Sequence, residues 1–161
     1  MFLFPPTYIL RHRKENLNKC TLRGLEENPG FQFFTYPQDS LPPLSEYLLL
    51  TLDAPVLSKE DRHLGVLLID GTWNYAEKME KQLPLPHLFQ KRSLPPHLLT
   101  AYPRKQTGCI DPLRGLASIE ALYAAYTLLG RNTEGLLDHF YWKERFKELN
   151  PGLFRLDFSM P

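Results

Sequence analysis

Cysteine is scarce in this chain. Cys20 and Cys109 are the only two among 161 residues, and no pairing motif joins them. No Cys/His ligand spacing accompanies them, whereas a structural zinc site needs about four clustered ligands. No metal is expected, and two reduced thiols fit a cytoplasmic protein. Long apolar runs are also missing, since no segment approaches the length of a membrane span. The opening MFLFPPTYIL is broken by Pro5-Pro6 and lacks the charged leader of a signal peptide. A soluble, intracellular protein is expected. Neither sign of charge dominates: 19 basic and 18 acidic residues leave a net charge of +1, so the totals favour neither nucleic acid nor membrane. There is no Gly-x-Ser-x-Gly elbow and the five histidines are scattered, which argues against a hydrolase. Internal repeats and low-complexity segments are absent.

What is present is ordinary globular material. Hydrophobic residues make up 43% and charged residues 23%, in a chain long enough to bury one domain's core. The basic residues are unevenly spread. Arg11, His12, Arg13 and Lys14 form one cluster, followed by Lys19 and Arg23. Lys91-Arg92, Arg104-Lys105 and Arg114 form smaller ones, all in segments that read as loops. Such clusters suit phosphate contacts on structured RNA. They also suit a solvated surface.

Strands are expected at Tyr8–Leu10, Phe31–Tyr36, Tyr47–Leu52, Val66–Ile69 and Leu98–Tyr102, on apolar, β-prone composition. Helices are expected at Thr21–Glu27, Thr72–Lys81, Ser118–Leu129 and Thr133–Leu149, with a capped turn near Leu57–Arg62. Gly130 stands where a C-terminal cap belongs. Alternation of the two kinds predicts an α/β fold, a mostly parallel sheet flanked by helices. The long loop 104–115 has the length of a functional segment or of a plain surface connection.

The most informative stretch is VLLIDGTWNYAEKM, from Val66 to Met79. A short apolar run bounded by a turn signal reads as a strand buried on both faces. Gly71 then releases the backbone, and Thr72 can cap the helix that follows. This puts Asp70 and Trp73 at the carboxyl end of a buried strand, where open α/β sheets bind ligands. Asp-Gly is equally a common turn pair, and Trp73, Ala76 and Met79 keep the spacing of a core face.

That block is similar to the strand–turn–helix of the aminocarboxypropyltransferase family of the DTW-domain superfamily, which includes ribosome-biogenesis enzymes that modify small-subunit RNA. Lys19-Cys20-Thr21 resembles a second block of the family. A third runs from Leu94-Pro95 through Thr100-Ala101-Tyr102-Pro103 to Leu116-Ala117-Ser118-Ile119-Glu120-Ala121, and the closing Phe140-Tyr141-Trp142 through Glu148-Leu149-Asn150 is a fourth. The resemblance covers nearly the whole chain. It implies a SPOUT-like fold with a C-terminal trefoil knot. It also implies transfer of the 3-amino-3-carboxypropyl group of S-adenosyl-L-methionine to a base nitrogen (N3) of uridine or pseudouridine, in ribosomal or transfer RNA.

On this reading residues 1–60 are a basic, RNA-facing half of one domain and residues 61–161 a SPOUT-like half that binds the cofactor. Asp70 would take a proton from the target imide or orient its ring, or cap the helix of Trp73. The indole of Trp73 would cover the sulfonium, a cation–π contact of ~1–2 kcal/mol when desolvated, with Ala76 leaving room beside it. Thr21 matches the position that holds the cofactor carboxylate. Ile69, Leu99, Leu113, Leu116 and Ser118 fall on positions around the rest of the cofactor, mostly through backbone contacts. Arg11, His12, Arg13, Lys14, Lys19, Arg104, Lys105 and Arg114 would meet RNA. A monomer is expected. The chain departs from the ribosomal enzymes at Asn16-Leu17-Asn18, at Leu22 and around Leu113, while Asp-Gly-Thr-Trp is closer to the transfer-RNA branch. A SPOUT-type RNA methyltransferase and a non-catalytic RNA-binding assembly protein are the alternatives.

Overall fold

A computed structural model of the chain describes residues 4–14, 21–71, 73–83, 89–103 and 115–155. Five strands form one all-parallel sheet: β1 (Thr7–His12), β2 (Phe31–Tyr36), β3 (Tyr47–Leu50), β4 (Gly65–Asp70) and β5 (Gln90–Arg92), in the order β2-β1-β4-β3-β5. The helices are α1 (Trp73–Lys81), α2 (Ser118–Leu129), α3 (Lys143–Leu149) and the short α4 (Pro151–Arg155). The expected α/β class holds, with the sheet parallel throughout. A boundary between residues 60 and 61 would fall within this sheet, since β1 to β3 precede it and β4 and β5 follow.

Strand alternation sorts the side chains onto two faces. Ile9, Phe31, Leu48, Val66 and Leu68 join Leu122, Ala124, Ala125 and Phe146 in the larger core, against α2 and α3. Tyr8, Leu10, Tyr47, Leu49 and Leu67 join Met79 of α1 in the smaller one. A parallel sheet covered on both faces needs nearly continuous apolar strands, and LLID and YLLL supply them. No helix among the described residues is long and apolar enough to cross a membrane.

Several expected elements are corrected. Leu98–Tyr102 is not a strand; its main chain bonds to side chains instead of to a neighbouring strand. The fifth strand is the polar Gln90-Lys91-Arg92, so Lys91-Arg92 is not in a loop. A charged edge strand of three residues carries no apolar signal and discourages further pairing. Arg11 and His12 likewise lie within β1 rather than after it. Residues 21–27 form tight turns, not a helix, because the Glu26 carboxylate takes the Gly24 N–H. The helix expected over Thr133–Leu149 survives only as α3, since Gly135 at φ +81° breaks its first turns. Gly130 does end α2 in the left-handed conformation, at φ 74°.

Candidate functional site

The sheet order places a topological switch point between β1 and β4. The chain leaves β1 towards β2 and leaves β4 through α1 towards β5, so the connections of these adjacent strands diverge. Ligands of open α/β sheets bind at such a divergence, outside the carboxyl ends of the strands. Here those ends are Arg11-His12 and Asp70-Gly71.

Arg11 and Asp70 are register partners and point to the same face. Arg11 Nε donates to Asp70 Oδ2 at 3.3 Å, and both side chains are buried. The other carboxylate oxygen, Oδ1, accepts from Ser118 Oγ at 2.8 Å. Arg11 also donates through Nη1 and Nη2 to Glu26 Oε2, at 3.5 and 3.4 Å, and its guanidinium lies 4.6 Å from the Phe33 ring centroid. Burial alone would raise the Glu26 carboxyl. The backbone N–H groups of Glu26 and Gly24, together with Arg11, more than offset this and hold it below its ordinary value.

α2 begins beside this cluster. Its N-cap residue, Ala117, has no side chain to cap the first N–H groups. Thr21 supplies the missing acceptor, its Oγ1 taking the Ile119 N–H at 3.1 Å. Thr21 thus caps a helix 98 residues away rather than one of its own. Glu120, fully buried, accepts from Ala117 N–H at 2.8 Å, Thr100 Oγ at 2.6 Å and Ala101 N–H at 2.7 Å. Asn150 accepts from Leu99 N–H at 2.8 Å and donates to Leu99 C=O at 2.9 Å.

The other face of the sheet at these strand ends is aromatic. The His12 ring stacks on Tyr75 at 3.8 Å between centroids and 5° between planes, with Tyr36 at 5.7 Å. Its Nδ1 accepts from Lys14 N–H at 3.1 Å. Burial lowers the His12 pKa, and the charges of Arg13 and Lys14 lower it further. Among the described residues no group of three or more His, Cys, Asp or Glu is gathered closely enough to hold a metal ion.

The family described as "Ribosome biogenesis protein, C-terminal" matches residues 47–157, more than half of the chain. This chain belongs to that family. A solved structure similar to this family member is that of the SAM-dependent rRNA:acp-transferase Tsr3 from Vulcanisaeta distributa. The TM-score is 0.72 at 27% sequence identity, over 97% of this chain and 84% of that one. No curated protein sequence matches the chain. The family match begins at β3, whereas the structural likeness takes in β1 and the turn of Thr21 as well.

Among the residues singled out from sequence, this family member brings Asp70, Ser118 and Thr21 to one place, with Leu116 two residues before α2. Leu99 bonds through both main-chain groups to Asn150 at the end of α3, so its donor already has an acceptor, while Glu120 of α2 holds Thr100 and Ala101. Ile69 packs against the smaller core instead. Ala76 is half-buried on α1, and Trp73 opens that helix three residues beyond Asp70. The Trp73 side chain lies outside the described part, as do Lys19, Arg104, Lys105, Leu113 and Arg114. Arg13 and Lys14 are exposed, while Arg11 and His12 are buried. Arg11, Glu26, Glu120 and Asn150 are the structural partners that sequence reasoning did not supply. Glu120 had a signal: it is the sole charged residue of SIEALYAAYTLL.

Proposed function

We propose that this chain transfers the 3-amino-3-carboxypropyl group of S-adenosyl-L-methionine to a base nitrogen of ribosomal RNA. The observation that carries this reading is the likeness to the Vulcanisaeta distributa enzyme, extending over 97% of the chain at 27% identity. Membership of a ribosome-biogenesis family supports the class of RNA. N3 of a uridine or pseudouridine as acceptor, a SPOUT-like knot, the DTW superfamily, a monomeric state and a basic first half that meets RNA belong to the same reading. A transfer-RNA substrate remains an outcome of the test below.

The residues present fit the donor chemically. A buried carboxylate, Asp70, lies beside a helix start and the hydroxyls of Thr21 and Ser118. A helix start complements an amino-acid carboxylate, and the two hydroxyls can hydrogen-bond it. When bound, S-adenosylmethionine supplies an electrophilic carbon whose departure from sulfur neutralises the sulfonium. The chain's own part is placement. Arg11 and Ser118 each occupy one lone pair of Asp70 and fix the direction of the carboxylate. A substrate imide N–H presented to this carboxylate would be oriented by it and would give it the proton. Thr21 accepts from Ile119 N–H and retains its hydroxyl proton to donate to an anion. Trp73 and Ala76 on α1, with Leu99, Leu113, Leu116 and the main chain of Ile69, would wall the donor. Arg13 and Lys14, together with Lys19, Arg104, Lys105 and Arg114, would meet phosphates.

The experiment uses S-adenosylmethionine labelled separately on the methyl and carboxyl carbons, with ribosomal and transfer RNA as acceptors. Carboxyl label in ribosomal RNA, located by nucleoside mass spectrometry, is the expected result. Methyl label alone would overturn the reaction, and label in transfer RNA alone would overturn the substrate.

A further inference from the structure

Residues 98–102 have no ladder partner, yet Leu98 is buried and Leu99 to Tyr102 are half-buried. Backbone donors and acceptors withdrawn from water need partners. Here two buried side chains provide them from different helices. Asn150, 5% exposed at the end of α3, grips both main-chain groups of Leu99, at 2.8 and 2.9 Å. A third bond, Nδ2 to Phe146 C=O at 3.0 Å, fixes the orientation of that amide. Glu120 holds the next two residues through Thr100 Oγ and Ala101 N–H.

A sheet neighbour would have imposed a flat, pleated path on this segment. Side-chain staples instead fix an irregular path, as ligand-lining backbone requires. The segment is also tied to the site. Glu120 stands two residues beyond Ser118, whose hydroxyl holds Asp70, and one beyond Ile119, whose N–H is capped by Thr21.

We infer that Asn150 is a positioning residue for donor binding: it locks the main chain at Leu99 in the shape that S-adenosylmethionine meets, so that α3 preorganises a site on α2 and β4. This rests on the reading of the chain as a transferase that uses that donor. Preorganisation acts by lowering the ordering cost of binding, so the effect falls on affinity and not on the chemical step.

The test compares the full chain with Asn150→Ala by calorimetric titration of S-adenosylmethionine. Loss of the clamp leaves the Leu99 N–H without its acceptor, and the expected rise in Kd is about tenfold. Turnover at saturating donor should stay within about twofold, because the reacting groups are untouched. Amide exchange at Leu99 should accelerate while exchange in the middle of α2 stays slow. A folded Asn150→Ala that binds the donor as tightly as the native chain overturns the inference. So does a loss confined to turnover. Asn150→Ser carries the same test where the alanine variant does not fold; failure of both to fold assigns Asn150 to the fold alone and overturns the inference too. A native chain that binds no S-adenosylmethionine overturns the functional reading itself, and this inference with it.

Discussion

Two arginines are buried at opposite ends of the sheet, Arg11 at 9% exposure and Arg131 at 7%, and their surroundings differ in kind. Arg11 meets two carboxylates and a phenyl ring at the carboxyl end of β1. Arg131 lies near the amino end of β4, where Nη2 donates to the carbonyls of Arg62 and Leu64. Its Nε and Nη1 have no hydrogen-bond partner among the described residues, and the Phe4 ring covers the guanidinium at 4.0 Å. Burial lowers the Arg131 pKa, opposed by the phenols of Tyr126 and Tyr47. Among the described residues, one cation is matched by charge and the other by dipoles and rings. A buried ion pair is weak evidence for stability, but removing one partner leaves the other uncompensated. The two ends therefore differ in what the loss of the arginine would leave behind.

The largest effect should come from Arg11→Met. It strands Asp70, buried and facing Ser118 alone of the two partners described for its oxygens, and a destabilisation of ~3–5 kcal/mol is expected from urea unfolding. In the double variant Arg11→Met/Asp70→Leu much of this should return, since both charges are gone. If the double variant is as unstable as the single one, the pair is not what Arg11 contributes. Next comes Asp70→Asn, which keeps the shape but removes the charge. Turnover should fall by roughly a hundredfold or more, as when one oriented polar group is taken from a reacting centre, with donor affinity nearly unchanged. Full activity would reduce Asp70 to a structural link between β4 and α2.

Arg131→Met should be far milder. The methionine gives up two carbonyl contacts but removes the desolvation cost of a buried charge that meets no carboxylate among the described residues, so the net change should lie between neutral and ~1–2 kcal/mol stabilising. Melting temperature and urea midpoint should hold or rise. A loss as large as that of Arg11→Met would break the comparison between the two ends.

Sequence made one part of this site legible and hid another. The bounds of β2 and α2 agree with expectation, because FQFFTY is uninterrupted β-prone sequence and SIEALYAAYTLL ends at a glycine. Asp70 at a strand end followed from the apolar run before it and Gly71 after it. Arg11 was legible as charge but not as a partner. Within RHRK nothing separates a residue that pairs 59 positions away from one facing water. Continuing the β alternation from Ile9 would have put Arg11 on the same face as Ile9, under α2, which is the signal available. Leu98–Tyr102 misled for the converse reason: its apolar β-prone pattern reflects burial, and whether a neighbouring strand exists is a matter of tertiary structure. Asn150 read as a helix stop, and only packing shows that its amide reaches Leu99.

The smallest effect concerns Arg11's neighbour on the other face. His12 has a pKa lowered from 6.5 by burial first and by Arg13 and Lys14 second. Its Nδ1 also accepts the Lys14 N–H, which a protonated ring can no longer do. Where the folded value lies below the unfolded one, the unfolded chain binds the extra proton first. The contribution of neutral His12 is then fully present above the unfolded value and is lost as pH falls through it towards the folded one. His12→Gln should therefore flatten the dependence of unfolding free energy on pH as pH falls below 6.5. Urea melts of both proteins across that window measure it. An unchanged slope would mean that the stack on Tyr75 does not distinguish the two charge states, and that the aromatic face tolerates a cation as readily as the Arg131 end does.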